Sequence, residues 1–165
     1  MYGHDPRRHP FLPATPMERH GKILCAFFAL LLLTSGWSAE ASPRPTPAEA
    51  VLAKFAAVNR HDVGAIVAAY DSSARLSASD FCADRIGHAD VERTYRAIFA
   101  LVPEIQAEVK ETLVQGDRVA VRVILHSRRP GRSFDLPLMN FFTVRNGLIV
   151  RDQGIFDNGG RACQP

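Results

Sequence analysis

Asn146-Gly147 sits between two apolar-rich runs, Phe141-Phe142-Thr143-Val144-Arg145 and Leu148-Ile149-Val150-Arg151. Both central residues of a type I′ turn take positive φ, which Asn and Gly tolerate and bulkier residues resist. The pair therefore marks a two-residue hairpin. Gln115-Gly116-Asp117 marks a second reversal. Before it Ile105, Ala107 and Val109 alternate with polar residues; after it Val119, Val121, Val123 and Leu125 do the same. Two hairpins in succession commit the last third of the chain to an antiparallel sheet. A sheet with an apolar face needs a cover.

The cover comes from the first half, where the apolar period is 3.6 rather than 2. Thr46-Pro47-Ala48-Glu49 opens a helix, with Thr46 as N-cap, Pro47 in the first turn and Glu49 three residues after the cap. Val51, Leu52, Phe55 and Val58 mark its inner face. Asn59-Arg60-His61-Asp62 breaks it, and Asp62 caps a shorter helix through Ile66, Val67 and Tyr70. Ala74 to Ser79 reads as a strand. Asp90 is expected to cap a third helix, with Val91, Tyr95, Ile98, Phe99 and Val102 inward, stopped by Pro103. The order is helix, helix, strand, helix, then four strands. Helices on one face of an antiparallel sheet make an α+β fold.

Residues 1–39 carry an address rather than a fold element. Met17-Glu-Arg-His-Gly-Lys22 precedes the apolar run Ile23–Leu33, and small residues follow at Ser38, Ala39 and Ala41. This is the pattern of a secretory signal peptide cleaved near residue 39 or 41. An 11-residue run falls short of the roughly 20 residues that span a bilayer. Residues 1–16 show no periodicity, and Met17 is the better translation start. Residues 40–46 read as a proline-rich tether and 47–165 as the domain. Removal of 1–39 leaves 16 basic and 15 acidic residues, a net charge of +1. That balance gives no electrostatic footprint for nucleic acid, and no membrane contact is expected after cleavage.

Export fixes the reading of the cysteines. With Cys25 removed, Cys82 and Cys163 remain, an even count in an oxidising compartment, and we expect them to be bonded.

Several segments of this domain together resemble the nuclear transport factor 2-like superfamily, especially its SnoaL-like branch. They are Asn59-Arg60-His61-Asp62, Ile66-Val67-Ala68-Ala69-Tyr70-Asp71, Gly87 with Val91 and Tyr95, Gln115-Gly116-Asp117-Arg118-Val119-Ala120-Val121, and Val144-Arg145-Asn146-Gly147-Leu148-Ile149. The resemblance covers residue 47 to about 160. It implies a cone in which a bent sheet wraps three helices around a pocket. It also implies an activity to test. Ketosteroid isomerases of this superfamily use a general-base Asp, a Tyr donor and an acid, and by spacing those places fall on Ala78, Lys54 and Asn140. The base is missing, and general-base catalysis is worth roughly 10²–10⁴-fold. Isomerisation of that kind is not expected.

A two-residue hairpin in regular register pairs Asn140 with Gln153 and Leu136 with Asp157, on one face with Phe142 and Ile155. Tyr70, Asn140, Phe142 and Gln153 are then the expected ligand-binding residues, polar groups in an apolar wall. Were the protein an enzyme, a hydrolase, cyclase or dehydratase of this family, Asp80, Asn140 and Asp157 would be its working groups. His61, His88 and His126 show no metal-ligand spacing and there is no glycine-rich phosphate loop, so no cofactor or metal is implied. The expectation is an exported domain binding a small, largely apolar molecule. The rivals are an enzyme of the same family and a homodimeric interaction module joined through the exposed face of the sheet.

Overall fold

The structure, a computed structural model, describes residues 44–131 and 133–163. The signal peptide, the translation start and residues 40–43 of the tether lie outside them. The elements run α1 (Pro47–Asn59), α2 (Val63–Ala68), β1 (Tyr70–Ala78), β2 (Arg85–Ile86), α3 (Gly87–Leu101), β3 (Gln106–Gln115), β4 (Arg118–Ser127), β5 (Phe134–Arg145) and β6 (Leu148–Ile155). Three helices pack on a six-stranded sheet of order β2-β1-β6-β5-β4-β3. Among the described residues only the β1–β6 pairing is parallel. The fold is the expected α+β cone.

Local chemistry starts each helix. Thr46 and Glu49 form a complete capping box at α1, and Asp62 Oδ1 accepts from the Ala65 amide at 2.9 Å to cap α2. The third start differs from expectation. α3 begins at Gly87, and Asp90 acts from inside its first turn, accepting from the Ile86 amide at 2.8 Å. Gly87 takes φ +78°, and a Cβ there would meet the Ser72 carbonyl oxygen at 2.8 Å. Only glycine lets that turn approach β1 so closely. β1 is also longer than the sequence implied, reaching back to Tyr70, because Ile149 on β6 offers a partner there.

Both hairpins form, with Asn146 at φ 53° and Gly147 at φ 80° as a type I′ turn requires. The register beyond the second turn is not the regular one. Arg145 pairs with Leu148 and Val144 with Ile149, but Thr143 pairs with Arg151. Val150 is an extra residue, a bulge that moves the rest of β6 by one place. Asn140 therefore faces Gly154, Phe141 faces Gln153 and Phe142 faces Asp152. The Asn140–Gln153 pair of the regular register is not formed. Leu136 has no partner in β6, which ends at Ile155, before Asp157.

The core lies between the helices and the inner face of the sheet. Val51, Phe55 and Val58 of α1 and Val91 and Tyr95 of α3 meet Val119, Val121 and Val123 of β4 and Phe142 and Val144 of β5. Leu52, expected to face inward, is exposed, and Lys54 is buried in its place. The half-buried His61 is held by the Ile105 carbonyl at 3.0 Å and by the Phe99 ring. Among the described residues no helix is long and apolar enough to cross a membrane.

Cys82 and Cys163 are disulfide-bonded across a sequence separation of 81. The bond ties the C-terminal tail to the loop after β1. Asn158 reinforces it, donating from Nδ2 to the Ser79 carbonyl at 3.2 Å. In the chain-entropy account a loop of this length is worth roughly 3–5 kcal/mol. A Cys82→Ser/Cys163→Ser variant is expected to lose about that much in urea unfolding, with a lower midpoint and the same fold by circular dichroism.

Candidate functional site

The cone holds a cavity of about 130 Å³. Its walls are mostly apolar: Phe55 and Val58 from α1, Ile98 from α3, Leu76, Leu125 and Leu138 from the sheet, with Phe81 and Phe156 from the flanking loops. Arg85 lies over the Phe81 ring at 3.6 Å and donates to Thr94 Oγ1 at 2.8 Å, which fixes that side of the wall. Lys54, Thr94, Tyr95, Asn140 and Asp152 make the polar end.

That end is organised around one carboxylate. Asp152 comes from β6, turned inward by the Val150 bulge, and is 6% exposed. Tyr70, from the start of β1, donates its hydroxyl to Asp152 Oδ2 at 2.6 Å. Asn140, from β5, donates Nδ2 to Oδ1 at 2.8 Å. Lys54, from α1, places Nζ 3.5 Å from Oδ2. A buried carboxylate needs donors on both oxygens, and four elements of the fold supply or carry them.

Lys54 has no solvent to hold its charge. Its ammonium instead lies 4.1 Å from the Phe55 ring centroid, 5.2 Å from that of Phe142 and 5.5 Å from that of Tyr95, within cation–π range. Burial acts against the charged form. The Tyr95 and Asp152 oxygens outweigh it and hold the ammonium above the usual lysine range. Burial and the adjacent carboxylate push the Tyr70 phenol well above its ordinary value, so it stays protonated. Its single proton goes to Asp152, and the Tyr95 hydroxyl, 3.4 Å from that of Tyr70, is left to donate to it. The orientation of Asn140 follows the same logic: Nδ2 faces the carboxylate, so Oδ1 is the free face of the amide.

The structure sorts the residues singled out in the sequence. Asn140 lines the cavity. Tyr70 and Phe142 are buried beside the Asp152 cluster, one bonded to it and the other packed edge-on against Phe55, but neither lines the cavity. Gln153, an expected ligand-binding residue, is turned to the outer face by the bulge. Asp80 sits in the turn after β1, away from the cavity wall. Asp157 is exposed and accepts from the Gly159 amide at 2.8 Å, a turn cap. Asp80, Asn140 and Asp157 are therefore not gathered in one site. Lys54 and Asp152 were not among the expected site residues. Lys54 was legible, because it lies three residues after Val51 and four before Val58 on the buried face of α1. Asp152 was hidden by the bulge.

A wider depression of about 480 Å³ lies on the outer face of the sheet, over Leu113, Ala120 and Phe141 and beside Arg118 and Arg151. No buried titratable group lines it, so the polar chemistry of the protein belongs to the cone. Among the described residues no cluster of three or more His, Cys, Asp or Glu is placed to hold a metal ion.

The fold agrees with the comparisons to known proteins. Residues 51–152 match the family model of the SnoaL-like domain, and the chain belongs to that family. Among curated proteins none matches the sequence. Three solved structures show the shared fold. One is IdmH, a candidate polyketide cyclase from Streptomyces antibioticus, at 21% identity and TM-score 0.63, covering 70% of this chain and 94% of that one. Another is TerC co-crystallised with polyporic acid, at 22% identity and TM-score 0.62, covering 69% and 94%. The third is a candidate polyketide cyclase from Sinorhizobium meliloti, at 27% identity and TM-score 0.55, covering 64% and 92%.

The central test of the polar end is Asp152→Asn. It keeps the shape and leaves the Lys54 ammonium buried without a counter-charge, a loss of about 3–5 kcal/mol. Urea unfolding is expected to show that loss. Lys54→Met/Asp152→Asn, which removes both charges, is expected to recover most of it.

Proposed function

We propose that the protein is an exported SnoaL-like domain that binds a small, largely apolar molecule in the cone. The observation that carries this reading is the cavity itself. Its apolar wall ends in a polar cluster whose carboxylate is already engaged by Tyr70, Asn140 and Lys54. Such a cluster orients a ligand and offers no unengaged base to one. The Cys82–Cys163 bond supports export to an oxidising compartment. A catalytic role for Asp80, Asn140 and Asp157 draws no support from the geometry, since only Asn140 reaches the cavity. Native mass spectrometry of the protein purified from its own cells is expected to show a retained small molecule. Leu138→Trp, which fills the cavity, is expected to abolish retention. Ligand-free protein in the wild type, or equal retention by the filled variant, would refute this reading.

A second reading, a homodimer through the outer face of the sheet, is compatible with the first. Leu113, Phe141 and Ile155 are 61%, 45% and 47% exposed there, apolar side chains that a second copy could cover. A second copy related by a two-fold axis would cover these side chains with their own counterparts. Light scattering is expected to give a dimer mass for the wild type and a monomer mass for Phe141→Glu. A monomeric wild type at micromolar concentration would exclude the second reading.

A further inference from the structure

The cavity's size and charge balance narrow the class of molecule it takes. An apolar cavity of about 150 Å³ accommodates benzene, and the space here is about 130 Å³. One six-membered ring is of the size of that space. The polar end holds one buried cation and one buried anion, Lys54 and Asp152, 3.5 Å apart. Its net charge is zero. A ligand carboxylate or ammonium would enter as a third buried charge without a partner, and desolvation of such a group costs far more than one contact returns. Neutral ligands are selected by that balance.

The free hydrogen-bonding valences of the same residues specify one functional group. The Lys54 ammonium has three donors; the Asp152 carboxylate, 3.5 Å away, takes one, and donor capacity is left for a ligand at the cavity it lines. Asn140 commits Nδ2 to Asp152 and keeps Oδ1 as an acceptor. Both residues line the cavity and both rest on the same carboxylate, so the spare donor and the spare acceptor lie close together. Gly154 stands directly across from Asn140, where a Cβ would already touch Nδ2 at 3.4 Å, and leaves the amide room. A group that accepts one hydrogen bond and donates one satisfies both valences. A hydroxyl does so; a carbonyl or ether answers only Lys54.

We propose that the cone binds a neutral, single-ring molecule bearing a hydroxyl, the oxygen accepting from Lys54 and the hydroxyl proton donated to Asn140 Oδ1. This deepens the binding function proposed above and rests on it. The test uses four small probes in titrations followed by NMR: cyclohexanol, benzene, cyclohexanecarboxylate and cyclohexylammonium. Cyclohexanol is expected to bind at least tenfold tighter than benzene and than either charged ring. Lys54→Met/Asp152→Asn, which keeps the cavity neutral, is expected to hold benzene as before and to lose the preference for cyclohexanol. A charged ring binding as tightly as cyclohexanol would overturn the selection for neutrality. Cyclohexanol binding no tighter than benzene, or a preference that survives in the double variant, would overturn the role of Lys54 and Asn140. If no probe binds, benzene included, the binding function itself fails.

Discussion

A carboxylate buried at the polar end of the cone is the constraint around which the rest of the domain is arranged. Asp152 is buried, and its two oxygens meet donors from three other elements: Lys54 of α1, Tyr70 of β1 and Asn140 of β5. Each of those donors is itself buried and held, Lys54 by three aromatic rings and Tyr70 by Tyr95. Removing Lys54 or Asp152 alone leaves the other with an uncompensated buried charge, so the two are retained or lost together. The polar groups that meet a ligand are consequently fixed before it arrives, without a further loss of side-chain freedom on binding.

The sheet separates two kinds of surface through strand alternation, reset in β6 by the Val150 bulge. Its inner face carries the apolar wall and the neutral ion pair. Its outer face carries the exposed Leu113, Phe141 and Ile155. Family membership accounts for the first arrangement only in outline, since a shared fold does not fix the residues of a site. In this chain Lys54 and Asp152 form the polar end of the cavity, and Ala78 lines it without a titratable group.

Local chemistry made much of this fold legible in the sequence. The Asn-Gly turn, the capping box at Thr46 and Glu49, the Asp62 cap, the switch of period after Pro103 and the cysteine pair each depend on neighbours or on simple counting. Where local rules misled, a distant contact had decided the outcome. Asp90 looked like an N-cap, but β1 draws the chain in at Gly87 and starts the helix earlier. The largest departure is Val150. A regular hairpin would aim Gln153 inward and Asp152 outward. The bulge reverses them, and the reversal is stabilised by Lys54, almost 100 residues earlier in the chain. No window of sequence contains both halves of that bargain.

The neighbours of β6 carry a consequence for when the domain can form. The last strand lies in the interior of the sheet, between β1 and β5. Its turn also supports the start of the domain, for Pro45 rests on Gly147 and Arg44 reaches Asn146. Until β6 has been made, β1 lacks a long partner, α1 lacks the counter-ion for its buried lysine, and the entry to the helix has nothing beneath it. Contacts this distant in sequence close late. The domain therefore stays unlocked until nearly its whole length has been synthesised.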